Sequence, residues 1–274
     1  MPADPDTTAA RLATDYSASA DAYSRLWAPV IRQYSLQLLK ELPLPAARRI
    51  LDLGCGTGAL LADIHRAAPA ARVVGVDRAE GMARVANAME LAPVAVMDAQ
   101  RLALRDSFFD VVFCAFVLFH VPDPLGGLKE IRRVMAPAGC AGVALWGDDP
   151  GLPGRDIWSE ELDRAGAPPD TRPATDDSLM NTAEKLTALL ESAGLQSRVW
   201  STYFSRQWSL DDLLALQLGC GVSSRRIRGL SAAGRDECRS RAQARLAELT
   251  PQQLNFRPEV LFAIARHPDA ERSK

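Results

Sequence analysis

The stretch ILDLGCGTG, residues 50–58, decides the fold of this 274-residue chain. A short apolar run passes directly into glycines at positions 54, 56 and 58. Glycine lets the backbone turn sharply and places no side chain in the path of a ligand. The pattern predicts a buried strand over residues 49–53, a tight ligand-binding turn, and a helix that continues through His65 and stops near Pro69.

The same alternation of strand and helix continues along the chain. The sequence predicts strands over residues 72–76, 94–97, 109–116 and 140–146, and helices over residues 79–89 and 125–135. Short apolar strands that alternate with helices are typical of a parallel sheet covered on both faces. The fold class is therefore α/β, with a Rossmann-like, doubly wound sheet.

Two segments interrupt this rhythm. Residues 8–42 have the apolar spacing of one or two helices that precede the core. Residues 148–178 are rich in Pro, Gly and Asp, and predict a long irregular excursion with one helix over residues 157–164. A loop of this length in a compact domain usually has a function.

Regular structure returns in the C-terminal part. Asn181 is the predicted N-cap of a helix that ends at Gly194, and a strand over residues 196–204 follows. Two helices are predicted from Ser209 to residue 249, and a last strand over residues 260–265. Acidic residues, Asp236, Glu237 and Glu248, are interleaved with the arginines of this segment, which favours a solvated helix face, with an anionic substrate entrance as the alternative. These arginines are Arg225, Arg226, Arg228, Arg235, Arg239, Arg241 and Arg245.

Composition and charge restrict the class of protein. Apolar residues make up 47% and charged residues 24% of the chain, as in packed, water-soluble domains. A net charge of −2 provides no field that would attract nucleic acid or an anionic membrane. The first residues, MPADPDTT, lack the features of a secretory signal, and the longest apolar run, residues 111–119, is far shorter than the roughly 20 residues that span a bilayer. We therefore expect a cytoplasmic protein that binds neither nucleic acid nor a membrane.

The cysteines do not indicate a metal site or a disulfide framework. They are scattered, with no CxxC pair and no histidine at ligand spacing. Their positions are Cys55, Cys114, Cys140, Cys220 and Cys238.

The glycine turn by itself fits two kinds of cofactor. In a doubly wound sheet the ligand binds at the carboxyl ends of the strands. Gly54, Gly56 and Ala59 also match the dinucleotide pattern GxGxxG/A, and Asp77 lies near the place of its ribose-binding acid, so an NAD-dependent oxidoreductase remains open. Asp52, two residues ahead of the first glycine, argues against it, because a carboxylate repels a pyrophosphate and attracts a cation.

The acids at the next two strand ends fit a cationic nucleoside. S-adenosyl-L-methionine carries an ammonium and a sulfonium, with one carboxylate as its negative group. Asp77, at the end of the second strand, offers two acceptor oxygens to the ribose hydroxyls. Asp98, at the end of the third, can accept from the adenine amino group.

Four motifs in order resemble those of class I S-adenosylmethionine-dependent methyltransferases: ILDLGCGTG, VVGVD, MDAQRLAL and FDVVFCAFVLFHVPDP. The similarity is greatest to the small-molecule branch that includes the ubiquinone and menaquinone biosynthesis methyltransferases, and it covers residues 49–146. It implies a seven-stranded, mostly parallel sheet with an antiparallel last strand and helical cap insertions. The segments implied are an N-terminal helical lid (1–45), a cofactor-binding core (46–147), an irregular insertion (148–180), and the C-terminal part of the core (181–274) with a cap insertion at about 205–255.

The resemblance also implies the cofactor-binding residues. They are Tyr16, Tyr23, Asp52, Gly54, Cys55, Gly56, Asp77, Arg78, Met82, Asp98, Ala99, Cys114 and Ala115. Alternatives remain for four of these positions. Asp52 is equally suited to holding the turn by accepting hydrogen bonds from backbone amides. Arg78 is equally suited to the solvated start of a helix. Tyr16 and Tyr23, with Trp27 as a third lid candidate, share one helical face and also fit a packing stripe.

His120 is the candidate catalytic residue. It follows the fourth strand, where an acceptor would approach the methyl group, and a histidine can take a proton near pH 7. Lining of the pocket and a structural hydrogen bond are the other two roles that the sequence leaves open. No metal is needed, because a sulfonium is already an activated leaving group.

The function expected from the sequence is methyl transfer from S-adenosyl-L-methionine to an O, N or C nucleophile, with S-adenosyl-L-homocysteine as product. The expected partner is a small methyl acceptor from secondary metabolism, and a homodimer is left open. Three alternatives stand beside it: a methyltransferase fold that catalyses a cyclisation, a module that only senses the cofactor, and the NAD-dependent oxidoreductase.

Overall fold

The structure is a computed structural model that describes residues 5–149, 151–170 and 178–268. Its strands are β1 (Arg49–Leu53), β2 (Arg72–Asp77), β3 (Val94–Val96), β4 (Phe109–Ala115), β5 (Met135–Trp146), β6 (Gln196–Tyr203), β7 (Arg206–Gln207), β8 (Asn255–Phe256) and β9 (Glu259–Arg266). Its helices are α1 (Pro5–Leu26), α2 (Ala28–Glu41), α3 (Leu61–Ala67), α4 (Glu80–Asn87), α5 (Pro124–Val134), α6 (Pro153–Arg164), α7 (Ala183–Ser192), α8 (Leu210–Gly219), α9 (Gly221–Arg228) and α10 (Ala232–Leu246). In these three described ranges, no helix has both the length and the apolar character that crossing a membrane requires.

Seven of the strands form one sheet in the order β3-β2-β1-β4-β5-β9-β6. Strand β9 runs antiparallel to both of its neighbours, and the other neighbouring strands pair in parallel. The predicted fold class, a doubly wound and mostly parallel sheet with an antiparallel last strand, is confirmed. The strand order reverses between β1 and β4, and this reversal opens a crevice at the carboxyl ends of the two strands.

Strand β1 is buried on both faces because its side chains alternate between two apolar cores. Ile50 belongs to the core formed with α2 and α3, whereas Leu51 and Leu53 belong to the core formed with α5 and α7. Asp52 is two residues after Ile50 and therefore lies on the same face, one residue before the carboxyl end of the strand. The alternation thus places a carboxylate beside the crevice.

The C-terminal part differs from the prediction in its local details. Three helices, α8 to α10, stand where two were predicted, because Cys220 is extended and Gly221 has a φ of 74°. The predicted N-cap Asn181 is wrong: the Thr182 hydroxyl accepts the capping hydrogen bond, from the backbone of Lys185. The end of α7 at Gly194 is confirmed by its φ of 75°.

The structure also differs from the prediction in the excursion over residues 148–178 and in a short strand pair before β9. Helix α6 begins at Pro153, four residues earlier than predicted, and a short antiparallel pair, β7 with β8, was not predicted. Residue 150 and residues 171–177 of the excursion lie outside the described residues.

Helices α1, α6, α8, α9 and α10 pack on one another as a cap. Glu161 of α6 is fully buried and accepts hydrogen bonds from Arg241 and Arg245 of α10, each at 2.8 Å. Arg226 of α9 is buried and pairs with Asp163 at 2.5 Å. The predicted solvated face is wrong for these three arginines, because they tie the cap helices together.

Candidate active site

The crevice at the carboxyl ends of β1, β2 and β4 is a cavity whose empty space, with its open mouth, amounts to about 1120 Å³. The predicted residues that line it are Tyr16, Tyr23, Asp52, Gly54, Cys55, Gly56, Asp77, Arg78, Met82, Asp98, Ala99, Ala115 and His120. The structure does not bring Cys114 to the cavity: side chains alternate along β4, and Cys114 faces the core formed with α5 and α7.

The glycine turn after β1 depends on a left-handed backbone. Gly54, Gly56 and Gly58 have φ values of 71°, 55° and 78°. A Cβ on Gly54 would lie 2.2 Å from Cγ2 of Val117, so this residue is needed for packing as well. A Cβ on Gly56 would meet nothing nearer than the Tyr23 ring at 4.0 Å, so the turn stays open toward the cavity.

Asp77 holds the turn from the end of β2. One carboxylate oxygen accepts the amide of Gly56 at 2.9 Å, and the other accepts the amide of Ala79 at 2.8 Å. Burial raises the pKa of Asp77, and the two amide donors lower it without cancelling the effect of burial. Each oxygen of a carboxylate can accept more than one hydrogen bond, so Asp77 can still accept from a ligand.

Asp52 is a buried carboxylate that lacks a counter-charge. Its Oδ2 has no hydrogen-bond partner within the part of the chain that the structure describes. Burial, and then the negative charge of Asp77, raise the pKa of Asp52 to about 7. The backbone amides that Asp52 was considered to hold are bound by Asp77. A buried acceptor without a partner is costly, and a cationic ligand would remove that cost.

The third acid, Asp98, follows β3 and closes a tight turn. Its Oδ1 accepts the amide of Gln100 at 2.9 Å, and its Oδ2 lies 3.4 Å from Nη1 of Arg78. The positive charge of Arg78 is therefore already directed to an acid on the cavity wall.

Helix α1 covers the cavity with two tyrosines. The Tyr16 hydroxyl and Nε2 of His120 are 3.0 Å apart, and the Tyr16 and Tyr23 rings pack edge to face at 5.8 Å. Burial, followed by the charges of Tyr16, Asp77 and Cys220, raises the pKa of Tyr23 well above its ordinary value, so Tyr23 is neutral. Trp27 instead stacks on Trp208 and does not line the cavity.

The contact of α1 with α4 holds this cover in place. The amide of Gly81 donates to the Ser17 hydroxyl at 3.1 Å, and a Cβ on Gly81 would lie 2.4 Å from the backbone oxygen of Ser17. The packing stripe that the sequence offered as an alternative is present too, because Ala20 is buried against Ala79 and Met82. The covering and packing roles of α1 therefore coexist.

The sequence did not single out the residues that complete the cavity on the side of α2 and β4. They are Ile31, Arg32, Ser35, Thr57 and Phe116. A usable signal existed for α2, since Ile31, Arg32 and Ser35 share helical spacing and the last two are polar within an apolar stripe. Phe116 carries no such signal: it has a φ of 59°, a left-handed conformation that bulky residues rarely adopt.

Comparison with known proteins agrees with this geometry. Residues 51–142 match the family model described as a methyltransferase domain. The malonyl-[acyl-carrier protein] O-methyltransferase of Geobacter sulfurreducens is 39% identical over 143 residues, 50% of this chain and 51% of that protein. The demethylmenaquinone methyltransferase of Staphylococcus aureus is 34% identical over 122 residues, 43% of this chain and 50% of that protein. The chain spans about half the length of the curated relatives it matches.

A solved structure extends the similarity beyond the core. The phosphoethanolamine N-methyltransferase 2 of Haemonchus contortus, in complex with phosphomonomethylethanolamine and S-adenosylhomocysteine, has a TM-score of 0.54 at 18% identity. The match covers 91% of this chain and 57% of that one. At this identity the similarity is one of fold.

The sheet has the strand order of a Rossmann-like fold, and residues 51–142 are similar to the methyltransferase domain family. The predicted resemblance to small-molecule methyltransferases is confirmed by the relatives. The comparisons do not favour the NAD-dependent oxidoreductase.

Proposed function

We propose that this protein transfers a methyl group from S-adenosyl-L-methionine to a small acceptor molecule. One observation carries the proposal: acids near the carboxyl ends of β1, β2 and β3 meet in one cavity, and the buried Asp52 has there a carboxylate oxygen, Oδ2, without a hydrogen-bond partner among the described residues. Three carboxylates favour a cation and would repel the pyrophosphate of NAD. The family match supports the same reading.

The residues present fit the cofactor. The open backbone of Gly54 to Gly56 would lie against its methionine part, and Asp77 would accept from the ribose hydroxyls. Asp98 and Ala99 would lie at the adenine edge, and Met82 is an apolar side chain of the same wall. When bound, the cofactor supplies a methyl carbon activated by the sulfonium, and S-adenosyl-L-homocysteine is the product.

The chain itself positions the acceptor, excludes water and takes up a proton. Helix α1 closes the cavity through Tyr16 and Tyr23. For an acceptor O–H or N–H, the lone pair forms the bond to the methyl carbon, the carbon–sulfur electron pair stays on sulfur, and the acceptor proton passes to Nε2 of His120. In the structure Nε2 lies within hydrogen-bond distance of the Tyr16 hydroxyl. When the acceptor enters, Nε2 gives up this hydrogen bond and forms one with the acceptor O–H or N–H.

The acceptor we propose is small and largely apolar. Apolar residues of the cavity wall include Ala9, Leu12, Ile31 and Phe116. An apolar wall desolvates the reacting atoms and selects by shape. A secondary metabolite is the substrate class we propose. The cytoplasmic location stays a prediction, and a homodimer stays open.

Thermal stability in the presence of ligands tests the cofactor. We expect S-adenosyl-L-homocysteine to raise the midpoint of unfolding, because it binds the folded state alone, and NAD at equal concentration to leave it unchanged. Stabilisation by NAD and not by S-adenosyl-L-homocysteine would overturn the proposal.

The reaction is tested by product mass. Incubation of candidate apolar acceptors with methyl-labelled cofactor should give a labelled product heavier by one CH₂. A product of unchanged mass would identify a cyclisation, and the lack of turnover with every acceptor despite tight cofactor binding would favour the sensing module. For the proton, His120→Gln should lower kcat far more than Tyr16→Phe, since Tyr16→Phe removes the hydrogen bond and leaves the imidazole in place.

A further inference from the structure

One face of helix α2 lines the cavity without a role in the function proposed above. Ala28, Ile31, Arg32 and Ser35 all reach the cavity wall, and their spacing places them on a single helical face. The opposite face of α2, including Tyr34, is buried in the core against the sheet. Arg32 and Ser35, the two polar residues of this face, therefore lie between the buried side of α2 and the cavity.

The charges of the cavity wall are unequally distributed. Asp52, Asp77 and Asp98 are the acids among the described lining residues, and the permanent cations there are Arg78 and Arg32. Arg78 is directed to Asp98. Arg32 is therefore the cation that the cavity acids do not neutralise.

Arg32 is anchored at one edge of its guanidinium and open at the other. Its Nε and Nη2 donate to the two oxygens of Asp63, each at 2.7 Å. Asp63 also accepts from Arg66 at 2.8 Å, so one carboxylate is shared by two guanidinium groups and a positive charge is left over. Nη1 of Arg32 takes no part in this ion pair, and the Arg32 side chain is 42% exposed.

Ser35 lies on the same face as Arg32, about one turn further along. It is fully buried, and its hydroxyl has no hydrogen-bond partner within the described ranges. A serine inside a helix usually satisfies its hydroxyl through the carbonyl of the preceding turn, as Ser19 does in α1. The Ser35 hydroxyl is thus a buried donor that a ligand oxygen could satisfy.

We propose that Arg32, through Nη1, and Ser35, through its hydroxyl, bind a carboxylate in the cavity on the side of α2. A carboxylate matches the donors, because a guanidinium edge and a hydroxyl can serve its two oxygens. A doubly charged anion fits less well, since Asp52 and Asp77 line the same cavity. The inference rests on the proposed function, and it deepens it by assigning the negative group of a ligand to named residues.

The carboxylate has two sources, the amino-acid end of the cofactor or an acidic acceptor. Calorimetry with two ligands tests the first: S-adenosyl-L-homocysteine carries the carboxylate, whereas 5′-methylthioadenosine is the same nucleoside thioether without the amino-acid end. We expect Arg32→Gln to weaken binding of S-adenosyl-L-homocysteine about 10- to 100-fold, the usual effect of a charge-assisted hydrogen bond, and to leave 5′-methylthioadenosine unchanged. Ser35→Ala should weaken the same ligand by about 3- to 10-fold.

The second source is tested with phenylacetate and its uncharged amide, on the protein alone and on the protein saturated with S-adenosyl-L-homocysteine. If the site serves an acidic acceptor, the wild type prefers the acid and Arg32→Gln loses that preference. Arg198→Gln is the control, since Arg198 is an exposed arginine that pairs with Glu41 and does not line the cavity; it should change neither measurement. Arg32→Lys retains the charge and should recover part of the affinity.

The outcomes separate the two proposals. If S-adenosyl-L-homocysteine binds the wild type and Arg32→Gln equally well, and neither protein prefers the acid over the amide, the carboxylate site is wrong and the proposed function stands. If S-adenosyl-L-homocysteine does not bind the wild type, the proposed function is wrong, and the acid and amide on the protein alone still decide the carboxylate site. The carboxylate site would also be overturned if Arg32→Gln weakened binding of both S-adenosyl-L-homocysteine and 5′-methylthioadenosine, because the effect would then not depend on the carboxylate.

Discussion

The cavity has two walls that are built in different ways. The sheet wall consists of the glycine turn and the acids Asp52, Asp77 and Asp98, which lie in β1 and β2 or in the turns that follow β1 and β3. The helical wall consists of α1 and α2, whose side chains meet residues far away in sequence. Tyr16 and His120, for example, are 104 positions apart.

This difference assigns different tasks to the two walls. Short turns after neighbouring parallel strands fix the sheet wall, because the strands themselves determine where each turn begins. The helical wall depends on the packing of separate elements and can therefore move or vary without loss of the sheet. We infer that the sheet wall holds the nucleoside part of the cofactor, and that the helical wall controls access and completes the site around the other parts of the ligands.

The largest expected effect concerns the charge of the sheet wall. Because the pKa of Asp52, about 7, lies above its ordinary value of 3.8, the contribution of Asp52 to the stability of the folded state is greatest below about pH 4 and is lost as the pH rises through about 7. The shift corresponds to about 4 kcal/mol. Asp52→Asn should remove most of this loss, so the difference in free energy of unfolding between wild type and variant should grow from pH 5 to pH 8. Urea unfolding at several pH values measures it.

Ligand binding should show the opposite sign at the same residue. An ammonium favours ionised Asp52, so wild-type affinity for S-adenosyl-L-homocysteine should rise as the pH increases toward about 7, and Asp52→Asn should bind more weakly with a flatter profile. The exposed acid Asp211 supplies a control, as Asp211→Asn should alter neither profile. If affinity for S-adenosyl-L-homocysteine changed with pH in the same way in wild type and Asp52→Asn, the charge of Asp52 would have no part in binding.

The second effect concerns the backbone of the sheet wall. Gly54→Ala places a Cβ 2.2 Å from Val117 at a φ of 71°, and both the clash and the left-handed conformation are unfavourable. We expect a loss of about 3 kcal/mol in the free energy of unfolding. Gly166 has nearly the same φ, 70°, and open space around it, so Gly166→Ala should cost only about 1 kcal/mol. Urea unfolding measures both losses. If the two variants lost the same free energy of unfolding, the Val117 side chain would have moved to make room for the new Cβ, and the sheet wall would not be rigid at this point.

The same contrast explains how much the sequence could predict. The glycine turn and the three acids could be placed because a strand end and the residues after it are local features of the sequence. The left-handed glycines and the positions of Asp77 and Asp98 in the cavity agree with that prediction. Cys114 was predicted to line the cavity and does not, because one step along β4 moves a side chain to the opposite face of the sheet.

The helical wall could not be placed in this way. The spacing of α1 predicts a face, but not that the Tyr16 hydroxyl meets His120, since that contact depends on how α1 packs on α4. Arg32 and Ser35 were missed for the same reason. Polar residues in an apolar helical stripe are a signal that such a face is special, but their position in the cavity depends on how α2 packs on the sheet. The break between α8 and α9 was missed because one extended residue, Cys220, suffices to separate two helices.

The smallest expected effect concerns the attachment of the helical wall. Gly81→Ala would place a Cβ 2.4 Å from the backbone oxygen of Ser17, and backbone cannot yield as a flexible side chain can, so α1 must shift away from α4. We expect binding of S-adenosyl-L-homocysteine to weaken by about tenfold, while the free energy of unfolding changes by about 1 kcal/mol or less. Calorimetry and urea unfolding measure the two quantities, and faster proteolysis within α1 would report the shift.

Gly127→Ala on α5 is the matched control for that experiment, because a Cβ there makes only an ordinary contact, 3.5 Å from Val121. It should leave affinity unchanged and slightly stabilise the helix. If Gly81→Ala lost stability in proportion to affinity, α1 would be part of the same cooperative unit as the sheet, and the two walls would not be independent. If it bound S-adenosyl-L-homocysteine as tightly as the wild type, α1 would have no part in holding the cofactor. Its contact with α4 would then serve only to bury Ala20 and its neighbours.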